Sequence, residues 1–206
     1  VQENMTAVNE EIADLTPDVV FLQEVDRDAK RSHYINEQEL IRDAQSGYCD
    51  TFANNFKVCY VPYPLPTIGK VDSGILTLSK YDVTDTRRFA LPCPFSYPVR
   101  TANLKRCLMI DRIPIEGSDK ELVLVNLHLE AYDNGEGKEK QTKMLQEILQ
   151  MEVDDGNYVI AGGDFNQAFS GVDTSMYPKI SEDLWQPGEI DTDLFGEDLT
   201  LVTDNS

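Results

Sequence analysis

Asp164 and Asn166 close the run Tyr158-Val159-Ile160-Ala161-Gly162-Gly163-Asp164-Phe165-Asn166. A carboxylate and an amide two residues apart suit a hard metal ion or a phosphoryl oxygen. Gly-Gly-Asp and Asn are also ordinary turn formers, so this run by itself reads equally well as a turn. Two further polar groups end apolar runs: Glu24 follows Asp18-Val19-Val20-Phe21-Leu22-Gln23, and His128 ends Glu121-Leu122-Val123-Leu124-Val125-Asn126-Leu127. Taken singly, Glu24 reads as a strand-end acid facing water and His128 as a packed strand-end residue. Taken together, a carboxylate, an imidazole and a carboxylate–amide pair on separate strand tips fit metal-assisted hydrolysis of a phosphate ester. Mg2+ or Mn2+ takes oxygen ligands and keeps several waters, so Glu24 and Asp164 suffice to hold it. His128 can protonate a leaving alkoxide or hydrogen-bond a phosphoryl oxygen. Asn166 can donate its amide to charge developing on phosphorus. Arg27, Lys30, Arg31 and His33 form the densest basic patch and follow Glu24 closely. They either hold substrate phosphate or balance nearby acids in a solvated loop.

The elements that must position these groups are short and alternate in type. Residues 3–15 read as an amphipathic helix with Met5, Val8, Ile12 and Leu15 on one face, ended by Thr16-Pro17. Residues 18–23 are an apolar strand, and 36–46 a helix with Leu40, Ile41 and Ala44 inward. Strands are expected over 50–60, 73–79, 81–90, 104–113 and 121–128, with a loop broken by Pro62, Pro64 and Pro66 between the first two. Residues 138–152 read as a helix carrying Leu145, Ile148 and Leu149 inward, and 158–161 as a buried strand. Residues 181–198, acidic with no base, read as a surface loop. Asp191-Thr192-Asp193 with Gly196 hints at a calcium loop, but Phe195 and Val202 stand where acids are required. Short strands with few helices indicate one mixed α/β (α+β) domain over 1–206 with a large, mostly antiparallel sheet content.

Composition narrows the chemistry. At 206 residues with 41% hydrophobic content, the chain can bury a sizeable core, and no apolar run approaches a membrane span. With 37 acids against 18 bases and a formal charge of −19, broad electrostatic capture of nucleic acid is disfavoured. The expected partner is a small phosphorylated substrate in a local positive pocket. Surface acidity also leads us to expect a secreted or membrane-anchored protein. Cys49, Cys59, Cys93 and Cys107 match no zinc spacing and read as buried thiols, although their even number permits two disulfides.

Four motifs in order, D-V-V-F-L-Q-E-V-D at 18–26, S-G-I-L-T-L-S-K-Y at 73–81, L-V-N-L-H-L at 124–129 and G-G-D-F-N at 162–166, carry a resemblance. Together they resemble the endonuclease/exonuclease/phosphatase superfamily, the deoxyribonuclease-I-like magnesium phosphohydrolases. The resemblance implies a four-layer fold, two packed β-sheets flanked by helices, with the site at one end of the sandwich. It implies that Glu24 is the main metal ligand and His128 a phosphate-contacting acid. Asp164 would orient the nucleophilic water and Asn166 the scissile phosphate. Members also begin with a strand ending in asparagine and finish with an aspartate–histidine pair, and neither is found here. The chain is therefore expected to lack the first strand and the C-terminal strand or strands, and to have little activity alone. The alternatives are a nuclease of the same superfamily and a non-catalytic interaction domain retaining the fold. A diguanylate-cyclase-type loop at Gly162-Gly163-Asp164 would continue with glutamate and phenylalanine, whereas here Phe165-Asn166 follow.

Overall fold

The computed structural model describes residues 1–101, 103–133, 135–173, 181 and 185–202. Helix α1 (Gln2–Leu15) buries Met5 and Ile12, while Val8 and Leu15 are exposed, so its inward face is narrower than its apolar face. It stops at Thr16, whose left-handed φ of 44° precedes the helix-incompatible Pro17. Strand β1 (Val19–Asp26) follows, then α2 (Glu37–Ala44), started by Asn36 accepting from the Glu39 N–H. Strands β2 (Cys49–Val61) and β3 (Gly69–Ser79) form a long hairpin. Then come β4 (Asp85–Ala90), β5 (Cys107–Pro114), β6 (Glu121–His128), α3 (Glu136–Asp154) and β7 (Tyr158–Asp164). The first sheet has the order β1-β3-β2, all antiparallel. The second has the order β4-β5-β6-β7, antiparallel except for the parallel pair β6–β7, which α3 connects.

Helices α1 and α2 cover one sheet, packing Met5, Ile12 and Ile41 on Val25, Leu76 and Leu78. Helix α3 covers the other, packing Leu145, Ile148 and Leu149 with Leu108, Ile110, Val123, Val125 and Leu127. Between the sheets the contact mixes apolar Ala53, Ile75, Cys107 and Met109 with buried polar bridges. Thr51 Oγ1 donates to Asp111 Oδ2 at 2.9 Å, Asn126 Nδ2 donates to the Leu76 carbonyl at 2.9 Å, and Gln23 Nε2 donates to Asn126 Oδ1 at 2.9 Å. These bonds satisfy the polar groups that the sheets bury against each other and fix how the sheets register. The four layers are thus helices, sheet, sheet and helix, as expected.

Several details depart from the sequence reading. Strand β1 runs on through Glu24 to Asp26, with a bulge between Leu22 and Val25 rather than an end at Gln23. Within 181–198, a strand β9 (Gly188–Ile190) pairs in parallel with β8 (Gln167–Phe169). Residues 182–184 of that expected loop lie outside the described residues. The calcium-loop acid Asp191 instead caps a 3-10 turn, accepting from the Asp193 N–H. All four cysteines are free; Cys107 is buried, whereas Cys59 and Cys93 are exposed because they sit on a hairpin arm and a proline-broken loop.

Candidate active site

The site assembles where both sheets end on the same side. Glu24 occupies the β1 bulge with a left-handed φ of 57°, a conformation disfavoured for glutamate that turns its side chain out of the strand's alternation. Arg31 clamps this bulge. Its Nη1 donates to Glu24 Oε2 at 2.6 Å and its Nη2 to the Glu24 carbonyl at 3.2 Å. Its Nε and Nη2 also fork onto both oxygens of Asp26, at 2.8 and 2.9 Å. The Asp26 hydrogen bond, foremost, holds Arg31 above arginine's ordinary value. The other three basic residues turn elsewhere: Arg27 lies over the Phe52 ring at 4.9 Å, and Lys30 Nζ donates to Thr67 O and Oγ1. His33 is exposed, in a left-handed turn with φ 55°.

On the second sheet the parallel register sets His128 directly opposite Asp164. Gly163 makes this possible: its φ is 139°, and a Cβ there would stand 2.1 Å from the Leu127 carbonyl oxygen. Gly162 likewise lets the Phe21 ring of the other sheet approach, since a Cβ would meet it at 2.9 Å. His128 Nε2 lies 3.4 Å from Asp164 Oδ2. Asp164 Oδ1 accepts from the Asn166 N–H at 2.9 Å, and Asn166 Nδ2 donates to the Leu129 carbonyl at 3.0 Å.

A chain of hydrogen bonds fixes the imidazole. Burial pushes the Cys107 thiol up to about 11, so it stays an S–H donor, and it donates to Asn55 Oδ1 at 3.0 Å. The same amide's Nδ2 faces His128 Nδ1 at 3.2 Å and donates to it. In the neutral ring the proton therefore sits on Nε2, aimed at Asp164. Burial, then the Arg106 charge, push His128 down to about 4, against the opposing pull of Asp164 and Glu24. His128 is therefore neutral near pH 7.

Arg106 is the residue that the sequence reading missed. It is 4% exposed, and its Nε and Nη1 have no hydrogen-bond partner. Glu130 stands 3.8 Å away, with one carboxylate oxygen already accepting from Ala131 and Tyr132 N–H groups. Burial lowers Arg106 from arginine's ordinary value, while Glu130, Glu24 and Asp164 raise it. The signal available in sequence was an arginine inside the strand expected over 104–113, next to the apolar run Cys107-Leu108-Met109-Ile110.

Glu24, Asp164, His128 and Arg106 thus share one electrostatic neighbourhood, since both carboxylates act on the His128 imidazole and on the Arg106 guanidinium. The Glu24 and Asp164 side chains are 51% and 46% exposed, so a hydrated ion could reach them. No group of three or more His, Cys, Asp or Glu side chains able to hold a metal occurs among the described residues. The donor set fits a hard cation held by two carboxylates and its own waters, not a closed metal cage.

Comparison with known proteins identifies the family. The model of the Endonuclease/Exonuclease/phosphatase family matches residues 2–203. The chain belongs to that family. No curated protein sequence matches it significantly. Among solved structures, the human Nocturnin catalytic domain with bound sulfate has a TM-score of 0.57 at 20% identity, covering 85% of this chain and 59% of that one. ANGEL2, described as a 2',3'-cyclic phosphatase in complex with adenosine-2',3'-vanadate, has a TM-score of 0.57 at 19% identity, covering 80% and 44%. Caenorhabditis elegans TDP2 has a TM-score of 0.54 at 21% identity, covering 86% and 44%. These likenesses establish the fold, deoxyribonuclease-I-like, and the chain spans less than two thirds of each of those structures. No helix among the described residues is long and apolar enough to cross a membrane.

Proposed function

We propose that the chain carries the core of a site that hydrolyses phosphate esters with the help of a divalent cation, Mg2+ or Mn2+. The observation that supports this most is the meeting of the Glu24 and Asp164 carboxylates with neutral His128 and buried Arg106 at one end of the sandwich. Glu24 and Asp164 would hold the cation, which when bound offsets negative charge developing on the phosphoryl group. Arg106 offers N–H donors without protein partners to a phosphoryl oxygen, and Arg31 adds a second guanidinium beside Glu24. His128 would direct its Nε2–H, which faces Asp164 Oδ2 at 3.4 Å, to a bound phosphoryl oxygen. Near pH 7 it acts as a donor rather than as a charged acid. Asp164 accepts the proton of an attacking water, and Asn166 holds Asp164 through its own backbone N–H. Oxyanions in two relatives, sulfate in Nocturnin and vanadate in ANGEL2, are consistent with a phosphoryl seat.

The formal charge of −19 favours a small phosphorylated substrate or a lipid headgroup over duplex nucleic acid. The test is release of p-nitrophenol from bis(p-nitrophenyl) phosphate with and without Mg2+ or Mn2+. Metal-dependent turnover, even if slow, should fall by roughly two orders of magnitude or more in Glu24→Gln, since several kcal/mol of charge stabilisation is lost. Turnover indifferent to metal or to Glu24→Gln would refute the assignment.

A further inference from the structure

The chain has 37 acids and 18 bases, yet residues 56–71 and 88–110 contain no acid at all. They carry Lys57, Lys70, Arg88, Arg100, Lys105 and Arg106. The fold brings both segments to one side. Val61 pairs with Gly69, so residues 62–68 are the tip of the β2–β3 hairpin. Leu104 packs against the cluster of Phe56, Val61 and Val71 in the hairpin's outer half, and the Lys105 N–H donates to the Asn55 carbonyl. The inner end of this contact is next to the candidate site, because Asn55 also holds His128. From Asn55 to Val61 the strand rises by roughly 20 Å, which carries the tip well beyond the site.

Exposed apolar side chains crown these two segments, which carry no acid of their own. Leu65 is 86% exposed, Tyr97 79% and Tyr63 75%, with Val99 also exposed. Lys57 and Lys70 are matched by Asp72 and Asp28 from other segments. Arg88 instead donates to the Asn54 and Lys105 carbonyls, and Lys105 Nζ to the Arg100 carbonyl, so these charges are not neutralised by the bonds they make. An aliphatic tip beside tyrosines and unneutralised cations matches the layered chemistry of a bilayer surface: acyl boundary, headgroup and anionic phosphate. Leu65 favours this reading over a nucleic-acid strand, which offers it no base-stacking role.

We propose that the β2–β3 hairpin tip and the loop at 94–101 dock the protein onto an anionic phospholipid bilayer, with Leu65 and Tyr63 entering the interface and Arg100 and Lys105 meeting lipid phosphate. This goes beyond the hydrolytic reading and does not depend on a bound metal. Co-sedimentation tests it, using phosphatidylcholine vesicles with or without about 30 mol% phosphatidylserine. The chain should sediment with the anionic vesicles and much less with phosphatidylcholine alone. Leu65→Asp with Tyr63→Ser should abolish sedimentation, and Arg100→Glu or Lys105→Glu should each weaken it by about fivefold. Melting temperatures should stay unchanged in the Leu65, Tyr63 and Arg100 variants, whose side chains are solvent-exposed. Wild-type protein that does not sediment, or a Leu65→Asp/Tyr63→Ser variant that sediments fully, would overturn the proposal. So would equal or tighter binding of a single-stranded oligonucleotide that these substitutions also remove.

Discussion

Arg31 shows what a residue can mean once its partners are known. In sequence it is one of four neighbouring bases, equally suited to phosphate or to water. In the fold it is a five-bond clamp, adding Ser73 Oγ at 3.2 Å to its contacts with Glu24 and Asp26. The Asp26 side chain is only 3% exposed, and Arg31 donates to both of its oxygens. Arg31→Gln should therefore cost about 1–3 kcal/mol in urea denaturation, the penalty for leaving a buried acceptor underpaired, discounted because Arg31 itself is half exposed. Asp26→Asn in the same background should recover part of that loss. Additive losses would show that the two residues do not act as a pair. Glu24, His128, Asp164 and Asn166 were legible as chemistry because each ends or follows an apolar run. Arg106 and Asn55 were not, because their meaning depends on burial and on long-range partners that no local pattern displays.

At the scale of elements, hydrophobic periodicity located most strands and all three helices, because one face of each packs against a core. It did not locate the bulge at Glu24, since a left-handed glutamate is imposed by Arg31 and by pairing with β3. The two glycines before Asp164 were read as turn formers, yet both lie inside β7 and the fold gives them different duties. Gly163→Ala should unfold several degrees lower than Gly162→Ala, because its Cβ would strike backbone at a positive φ while that of Gly162 meets a ring able to shift. Equal melting temperatures would contradict this. Between the sheets, burial raises the Asp111 carboxyl, with Thr86, Thr51 and Thr77 hydrogen bonds opposing. An acid whose folded pKa is raised stabilises most below its unfolded pKa, and that contribution is lost as pH rises through the folded value. Asp111→Asn, which cannot ionise, should gain stability relative to wild type between about pH 4 and pH 7. Parallel melting curves across that range would refute it.

At the scale of the whole molecule, strand and helix order indicated a mixed α/β domain, the family resemblance implied its four layers, and the acidity was plain in composition. The distribution of charge was not. Two acid-free segments far apart in sequence come together only because Leu104 and Lys105 pack along the outer half of the hairpin. Convergence of the site was likewise beyond any local pattern, since Glu24 belongs to one sheet while His128 and Asp164 belong to the other. The central claim is that these carboxylates from two sheets share one hydrated cation, and it can be tested without relying on turnover. Mn2+ titration followed by electron paramagnetic resonance, on wild type, Glu24→Gln and Asp164→Asn, measures it directly. The account predicts one Mn2+ site that either substitution weakens by about tenfold or more. Mn2+ binding left unchanged by either substitution would contradict it.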